Sequence, residues 1–251
     1  MLATAKATLA EAAHQICLSD LYRDRFCPVP GADQFPSRAF PDRFELMREQ
    51  ARALDAAVTG SVQLRVGDGP LQDQVYNRML FATPTGDLWH YDKRHLFRYA
   101  GEHERYAPGG RRLSVEWRGW RICPLVCYDL RFPVFSRNRH DVERAGQLDY
   151  DLALYVANWP AVRAHAWKTL LRARALENLC YVAALNRVGT DGNGHAYSGD
   201  SAVIDFLGEA VSECGDMEVV STTTISGERL QAHRAHFPAM LDADRFQLTG
   251  L

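Results

Sequence analysis

The spacing of apolar residues predicts two helices in the first quarter of the chain, with an irregular segment between them. Residues 2–16 are rich in alanine and predict a helix. Four prolines at positions 28 to 41 interrupt any regular element. Beyond them, apolar residues recur every three or four positions, which places them on one face of a second helix: Phe44, Met47, Ala51 and Leu54.

From residue 58 onwards, alternating and continuous apolar runs predict a sheet protein. Strands are predicted at 58–66, 75–83, 88–91, 113–117, 120–127, 151–157, 179–186, 201–206, 211–213 and 218–225. A long helical pattern at 161–178 separates two almost continuously apolar strands, which are typical of strands buried on both faces. A strand–helix–strand unit with hairpins elsewhere indicates a mixed α/β sheet protein. Because no composition shift marks a linker, we expect one domain over residues 1–251.

Composition and charge narrow the function classes. The 251 residues include 29 Lys and Arg against 31 Asp and Glu, a net charge of -2, which provides no basic footprint for nucleic acid or an anionic membrane. No apolar run approaches the roughly 18 residues of a membrane span. Lys6 and Glu11 interrupt the N-terminal stretch, which therefore lacks the apolar core of a signal peptide. We expect a cytoplasmic protein without nucleic-acid or membrane partners.

The six cysteines predict neither a disulfide framework nor a metal site. They are sparse, and none has C-x-x-C or zinc-type Cys/His spacing, so we expect no metal and no cofactor. Cys127 alone stands out, because an apolar strand runs into it and Tyr128 and Asp129 follow at once. A nucleophile at a strand end is exposed at the sheet edge, where a backbone N–H can bind a carbonyl oxygen. From this segment alone, a core cysteine is the simpler interpretation.

Two further segments change that interpretation. Lys93 follows a predicted strand and Glu102 lies in the next loop; taken singly, they are a solvated charge and a loop carboxylate. Together with Cys127 they lie in the patterns Y-D-K-R-H-L-F, G-E-x-x-x-Y-x-P-G and C-Y-D-L-R-F-P. This series resembles the nitrilase superfamily of carbon–nitrogen hydrolases, most closely its omega-amidase branch. The likeness covers residues 44–248 and includes four further motifs: A-N-W-P, R-A-L-E-N, N-R-V-G and G-D-S.

The resemblance implies a fold and a catalytic set. The fold is a four-layer αββα sandwich, usually a homodimer or larger, and catalysis uses a Cys, a Lys and a Glu. Cys127 is then the nucleophile that attacks the amide carbon, releases ammonia and leaves a thioester for water to hydrolyse. Lys93 stabilises the oxyanion beside the backbone N–H of Tyr128 and favours the thiolate of Cys127. Glu102 orients Lys93 and the attacking water.

The omega-amidase branch also implies a substrate class, the monoamides of small dicarboxylic acids such as 2-oxoglutaramate and 2-oxosuccinamate. The second carboxylate of such a substrate needs a binding group, and arginine binds carboxylates in bidentate geometry. Arg131, four residues after Cys127, is the nearest candidate, with Tyr128 and Trp159 as candidate pocket walls. An Arg131 that merely pairs with Asp129 or a helix end is an equally supported interpretation.

Residues 1–40 depart from the family's pattern. The family begins with apolar strands, the second of which ends in P-E-M-F, whose Glu is the general base. In this chain Arg23 stands near the expected position, and the nearest carboxylates, Asp20 and Asp24, are more simply surface residues. We therefore expect the first strand or strands to be missing or altered. Three explanations stay open: a shifted Asp acts as base, the protein is an impaired relative, or these residues are a truncated or mistranslated version of an ordinary sequence.

The sequence therefore predicts a thiol amidohydrolase that acts on a small-molecule amide. One alternative is another amidase or nitrilase of the same superfamily. An alternative of a different class is a binding or scaffold protein that keeps the fold and lacks the general base.

Overall fold

The computed structural model describes residues 3–10, 13–20, 41–66, 74–141 and 147–248. The α-helices are α1 (Pro41–Leu54), α2 (Pro133–Ser136), α3 (Ala164–Asn178) and α4 (Gly227–His236). The strands are β1 (Ala3–Ala10), β2 (Ala13–Asp20), β3 (Ala57–Val66), β4 (Gln74–Ala82), β5 (Leu88–Asp92), β6 (Val115–Trp117), β7 (Trp120–Val126), β8 (His140–Asp141), β9 (Gln147–Leu148), β10 (Leu152–Ala157), β11 (Tyr181–Asn186), β12 (Val188–Thr190), β13 (Ala196–Ser198), β14 (Ala202–Ile204), β15 (Ala210–Glu213) and β16 (Val220–Ile225).

These strands form two six-stranded sheets. The first has the order β16-β2-β1-β3-β4-β5, and all its pairs are antiparallel. The second has the order β15-β14-β11-β10-β7-β6. Its three central strands, β7, β10 and β11, are parallel, so their carboxyl ends meet at one edge of the sheet. Two small antiparallel pairs, β8 with β9 and β12 with β13, lie outside the two sheets.

Strand β4 of the first sheet is buried on both faces. Met79 and Phe81 belong to a core cluster shared with the second sheet. The alternate residues, Leu80 and Ala82, pack instead with Met47 and the rest of the apolar face of α1. Because successive strand residues point to opposite faces, β4 separates the helix layer from the interior between the sheets.

The outer face of the second sheet is covered by α3. Trp167, Leu171 and Ala175 of this helix are buried in the large core cluster, and α3 contacts β11 and β14. Burying each of the larger apolar side chains stabilises the fold by about 1.5–3 kcal/mol. The layers therefore run from α1 through the two sheets to α3. This confirms the predicted four-layer αββα sandwich.

The predicted helix at 2–16 is wrong. Residues 3–10 and 13–20 form the antiparallel hairpin of β1 and β2, which lies between β3 and β16 in the first sheet. The first strand or strands were expected to be missing or altered; β1 and β2 are both present in the first sheet, so these strands are not missing. Polar and apolar residues alternate strictly along β1, from Thr4 to Leu9, which is the period of a strand. Alanine has a high helix propensity, but here the hydrogen bonds to neighbouring strands outweigh it.

The remaining predicted elements of the first sheet lie close to the observed ones. Met47 and Ala51 are fully buried as expected, but Leu54 at the end of α1 is 40% exposed. No helix in the described ranges is long and apolar enough to cross a membrane.

Candidate active site

A cavity of about 510 Å³ opens at the carboxyl ends of the parallel strands. Cys127 directly follows β7 and Asn158 directly follows β10, and both line this cavity. Ligands of sheet proteins commonly bind outside the carboxyl ends of parallel strands, where loops diverge. All six residues that the sequence proposed for the site line the same cavity: Lys93, Glu102, Cys127, Tyr128, Arg131 and Trp159.

Cys127 is held in an unusual backbone conformation at the end of β7. It begins the 3₁₀ turn Cys127–Arg131, and its φ of 47° lies in the left-handed region, which is uncommon for a residue other than glycine. The half-buried thiol donates a long hydrogen bond to the carbonyl oxygen of Asn158, with 4.0 Å between the heavy atoms. The first N–H groups of a helical turn have no partner within the turn, and the N–H of Tyr128 is one of these. The sharp turn therefore places a thiol beside backbone donors.

Asp129 fixes that turn in place. Its fully buried carboxylate accepts hydrogen bonds from the Tyr91 hydroxyl (2.8 Å), the Val126 N–H (3.0 Å) and both the backbone N–H and the Nδ1 of His95 (3.0 and 2.8 Å). Tyr91 lies on β5 of the first sheet and Val126 on β7 of the second, so one carboxylate ties the two sheets together at the cavity. Asp129 is hydrogen-bonded to these groups and does not pair with Arg131. The place of Asp129 in the motif C-Y-D-L-R, two residues after Cys127, is the sequence signal that could have indicated its role in holding the turn.

Lys93 and Glu102 form a buried ion pair. Only 3% of the lysine side chain is exposed, and its Nζ lies 2.5 Å from Oε2 of Glu102. The same oxygen accepts a hydrogen bond from the backbone N–H of Phe97 at 2.6 Å, and Oε1 accepts one from Nδ2 of Asn77 at 3.3 Å. With both carboxylate oxygens engaged, the pair is held in one orientation. Sequence reasoning missed Asn77, since a polar residue on an inner strand carries no motif of its own.

Two glycines shape the loop that carries Glu102, and one of them is hydrogen-bonded to the backbone of Lys93. The backbone N–H of Gly109 donates to the carbonyl oxygen of Lys93 at 2.9 Å. A Cβ at position 109 would lie 2.0 Å from the carbonyl oxygen of Asp92, so only glycine fits this approach. Gly101, directly before Glu102, has a φ of 68°. The two glycines of the motif therefore shape the loop that presents the carboxylate.

The ion pair and the thiol influence each other electrostatically. Burial raises the pKa of the Cys127 thiol; the Lys93 ammonium opposes this rise and Glu102 adds to it, with a net upward shift. Burial acts to lower the pKa of Lys93, but the charges of Glu102 and Cys127 raise it more, and the net shift is again upward. At neutral pH the site therefore holds a neutral Cys127 thiol beside the charged ammonium of Lys93.

Arg131 and Trp159 lie together on another part of the cavity wall. The guanidinium carbon of Arg131 lies 5.1 Å from the centroid of the buried Trp159 ring. The Trp159 backbone N–H donates to Oδ1 of Asn186 at 2.7 Å, which anchors this wall to the end of β11. The Tyr128 ring meets the edge of Phe97 with 4.9 Å between centroids. These residues supply aromatic walls and one cation.

A family model described as carbon-nitrogen hydrolase matches residues 37–235. The chain belongs to the carbon-nitrogen hydrolase family.

Two relatives and one solved structure illustrate its place in that family. An omega-amidase YafV from Yersinia enterocolitica is 53% identical over 204 residues, which cover 80% of this chain and 74% of that protein. A 2-oxoglutaramate amidase from Bacillus subtilis is 34% identical over 186 residues, covering 74% and 67%. A CN-hydrolase superfamily protein from Xanthomonas campestris, solved with an arsenic adduct in its active site, is 61% identical with a TM-score of 0.79, covering 86% of this chain and 82% of that one. The predicted membership of the nitrilase superfamily and its omega-amidase branch is thus confirmed.

For this carbon-nitrogen hydrolase, the sequence predicts no metal site, and it offers Asp20 and Asp24 as the carboxylates nearest to the expected position of the general base. Within the described ranges, no group of three His, Cys, Asp or Glu side chains could hold a metal ion. Asp20 is the last residue of β2, where it pairs with Ala3 of β1. Arg23 and Asp24 lie outside the described residues, and so does the position at which the family's general base was expected.

Proposed function

We propose that this carbon-nitrogen hydrolase is an omega-amidase, which releases ammonia from the terminal amide of a small dicarboxylic acid monoamide such as 2-oxoglutaramate. The observation that carries the proposal is the placement of Cys127 at the carboxyl end of β7, in one cavity with the buried Lys93–Glu102 ion pair. The names of the Yersinia and Bacillus relatives support the substrate class.

Cys127 is the proposed nucleophile. Its sulfur attacks the amide carbon, and the thiol proton ends on the departing nitrogen as the C–N bond breaks, so that ammonia leaves and a thioester remains. Water then attacks the thioester carbon, which releases the carboxylic acid and returns the thiol. Because the resting thiol is neutral, the first step needs a proton acceptor at the moment of attack.

Lys93 and the Tyr128 N–H are the proposed oxyanion donors. The carbonyl oxygen gains negative charge in both tetrahedral intermediates, and donors already fixed in place stabilise that charge without reorganising. Burial and the contact with Glu102 fix the Lys93 ammonium before substrate arrives. Glu102 orients Lys93 and the water that attacks the thioester.

Arg131, Tyr128 and Trp159 are the proposed substrate-binding residues. The Arg131 side chain is exposed at the cavity and rests over the Trp159 ring, and its guanidinium N–H groups are the donors proposed to bind a ligand carboxylate. Tyr128 and Trp159 enclose the short carbon chain between the two ends of the substrate.

The decisive experiment measures ammonia release from 2-oxoglutaramate by the purified protein and by Cys127→Ala. Turnover that vanishes in the variant supports the proposal. A folded protein that releases no ammonia, yet reacts with a thiol label at Cys127, contradicts it and supports the binding-protein alternative. A panel of other amides and nitriles distinguishes the remaining alternative within the superfamily.

The homodimer and the cytoplasmic location stay predictions. Light scattering on the protein as it elutes from a size-exclusion column measures its mass in solution. A mass of 28.3 kDa, that of one chain, would contradict the dimer.

A further inference from the structure

A second arginine on the cavity wall has no role in the motifs read from the sequence. Arg163 ends the 3₁₀ turn Ala161–Arg163 that follows β10, and it lines the cavity that holds Cys127. Its guanidinium carbon lies 5.5 Å from the Phe97 ring centroid and 5.1 Å from that of Tyr99. Ring faces hold a guanidinium through its flat surface, so the N–H donors in its plane stay available.

Arg163 and Arg131 are neighbours through Trp159. Arg131 lies over the indole ring, and the indole Nε1–H donates to the backbone carbonyl oxygen of Arg163 at 2.9 Å. One buried tryptophan therefore contacts both arginines. Both arginines also line the cavity that holds Cys127, so their side chains face the same space.

Neither guanidinium has an ion pair with a carboxylate in the part of the chain that the structure describes. Other arginines of the second sheet and its helices do: Arg172 with Glu213, and Arg174 with Glu177. In the same cavity, Lys93 is neutralised by Glu102. Two cations that rest on aromatic rings and have no carboxylate partner among the described residues offer their charge and their N–H donors to an anion that enters the cavity.

We propose that Arg163 and Arg131 together form the subsite for the carboxylate end of the amide, with Arg163 as a specificity-determining residue. This inference rests on the proposed function and deepens it. A guanidinium binds a carboxylate through two parallel N–H donors, and two of them suit the three clustered oxygens of a 2-oxo acid. A substrate with an aliphatic end would leave both charges uncompensated.

Arg163→Met tests the subsite by turnover of two amides that differ only at the far end. Glutaramate carries a carboxylate where pentanamide carries a methyl group. We expect kcat/KM for glutaramate to fall about 10- to 100-fold, mainly through KM, because a charged hydrogen-bonding partner is lost. The value for pentanamide stays within about three-fold. Arg163→Lys keeps the charge without the planar fork and gives an intermediate loss for glutaramate alone.

The matched control is Arg172→Met, which removes one positive charge from the exposed face of α3 and leaves the glutaramate-to-pentanamide ratio unchanged. Equal losses for both amides in Arg163→Met would overturn the inference. So would a change in the ratio as large in Arg172→Met as in Arg163→Met.

A binding measurement separates this inference from the proposed function. Glutarate is titrated calorimetrically into the Cys127→Ala protein with and without Arg163→Met. We expect the second substitution to weaken the Kd about 10- to 100-fold, whereas Arg172→Met has no effect. An unchanged Kd overturns the subsite. Loss of glutarate binding in a protein whose parent releases no ammonia would keep the subsite and refute the amidase.

Discussion

The two sides of the cavity differ in how their charges are held. Next to Cys127, the buried charges have fixed partners: Lys93 pairs with Glu102, and Asp129 accepts four hydrogen bonds. On the side of Trp159, Arg131 and Arg163 rest on aromatic rings without a carboxylate partner in the described residues.

This difference matches two different tasks. A group that stabilises a charge formed during the reaction works best when it is oriented beforehand, because reorganisation would add to the barrier. A group that recognises a charge already present on the substrate needs donors left open until the substrate binds. The contrast therefore predicts that substitutions near Cys127 change kcat for all amides. Substitutions near Trp159 change KM for carboxylated amides only.

The largest effect is expected for Lys93→Ala. Loss of one oxyanion donor typically costs about 3–4 kcal/mol in the transition state, so kcat should fall at least 100-fold for carboxylated and neutral amides alike. Ammonia release at saturating substrate measures this. Lys168→Ala, which removes an exposed lysine paired with Asp200, is the control and should leave kcat within about two-fold. Activity of Lys93→Ala within a few-fold of the parent would refute its role.

Asp129→Asn tests whether the part of the cavity around Cys127 depends on the hydrogen bonds that the Asp129 carboxylate accepts. The amide keeps the shape of the carboxylate but replaces one acceptor by a donor, which then faces N–H or O–H groups. With at least one buried donor left unpaired, we expect a loss of about 2–3 kcal/mol in the free energy of unfolding, together with a lower kcat. Urea denaturation measures the stability. Asp87→Asn, a substitution at an exposed turn residue, is the control. If Asp129→Asn lowers the free energy of unfolding no more than Asp87→Asn does, Asp129 does not hold the turn at Cys127 in place.

The residues proposed to react are also those for which the sequence carries the clearest signal. Lys93 and Cys127 lie at the ends of predicted strands and Glu102 lies in the loop after Lys93; all three lie in short motifs with a chemical reason for each residue type. The central strands were predicted almost correctly because buried parallel strands are continuously apolar. Asn77 and Arg163 were missed, since their contacts depend on which elements meet in space. No local sequence pattern encodes those contacts.

The N-terminal hairpin shows the opposite outcome. Its alanine content favoured a helix, whereas residues 3–10 and 13–20 are strands that complete the first sheet. Local propensity is worth only a few tenths of a kcal/mol per residue and is overridden when a sheet offers backbone partners on both sides. The alternation along β1 was the better signal, because it reports the two faces of a strand.

A smaller effect is expected for Arg131→Ala. Loss of one arm of a carboxylate site should raise KM for glutaramate about ten-fold, while KM for pentanamide and kcat for both stay nearly constant. Steady-state kinetics with this pair of substrates measures the split. An increase in KM of the same size for both amides would mean that Arg131 packs against Trp159 without binding the carboxylate.

The smallest effect is the pH dependence of thiol labelling at Cys127. Its raised pKa keeps the thiol protonated at neutral pH, and only the thiolate reacts with iodoacetamide, so the labelling rate should rise as pH increases through that pKa. Lys93→Met removes the ammonium that favours the thiolate, which should shift the midpoint to still higher pH. Arg131→Ala should leave the midpoint unchanged if its charge serves recognition alone. A midpoint that moved equally in both variants would mean that the two sides of the cavity share one electrostatic field, and the division of tasks between them would fail.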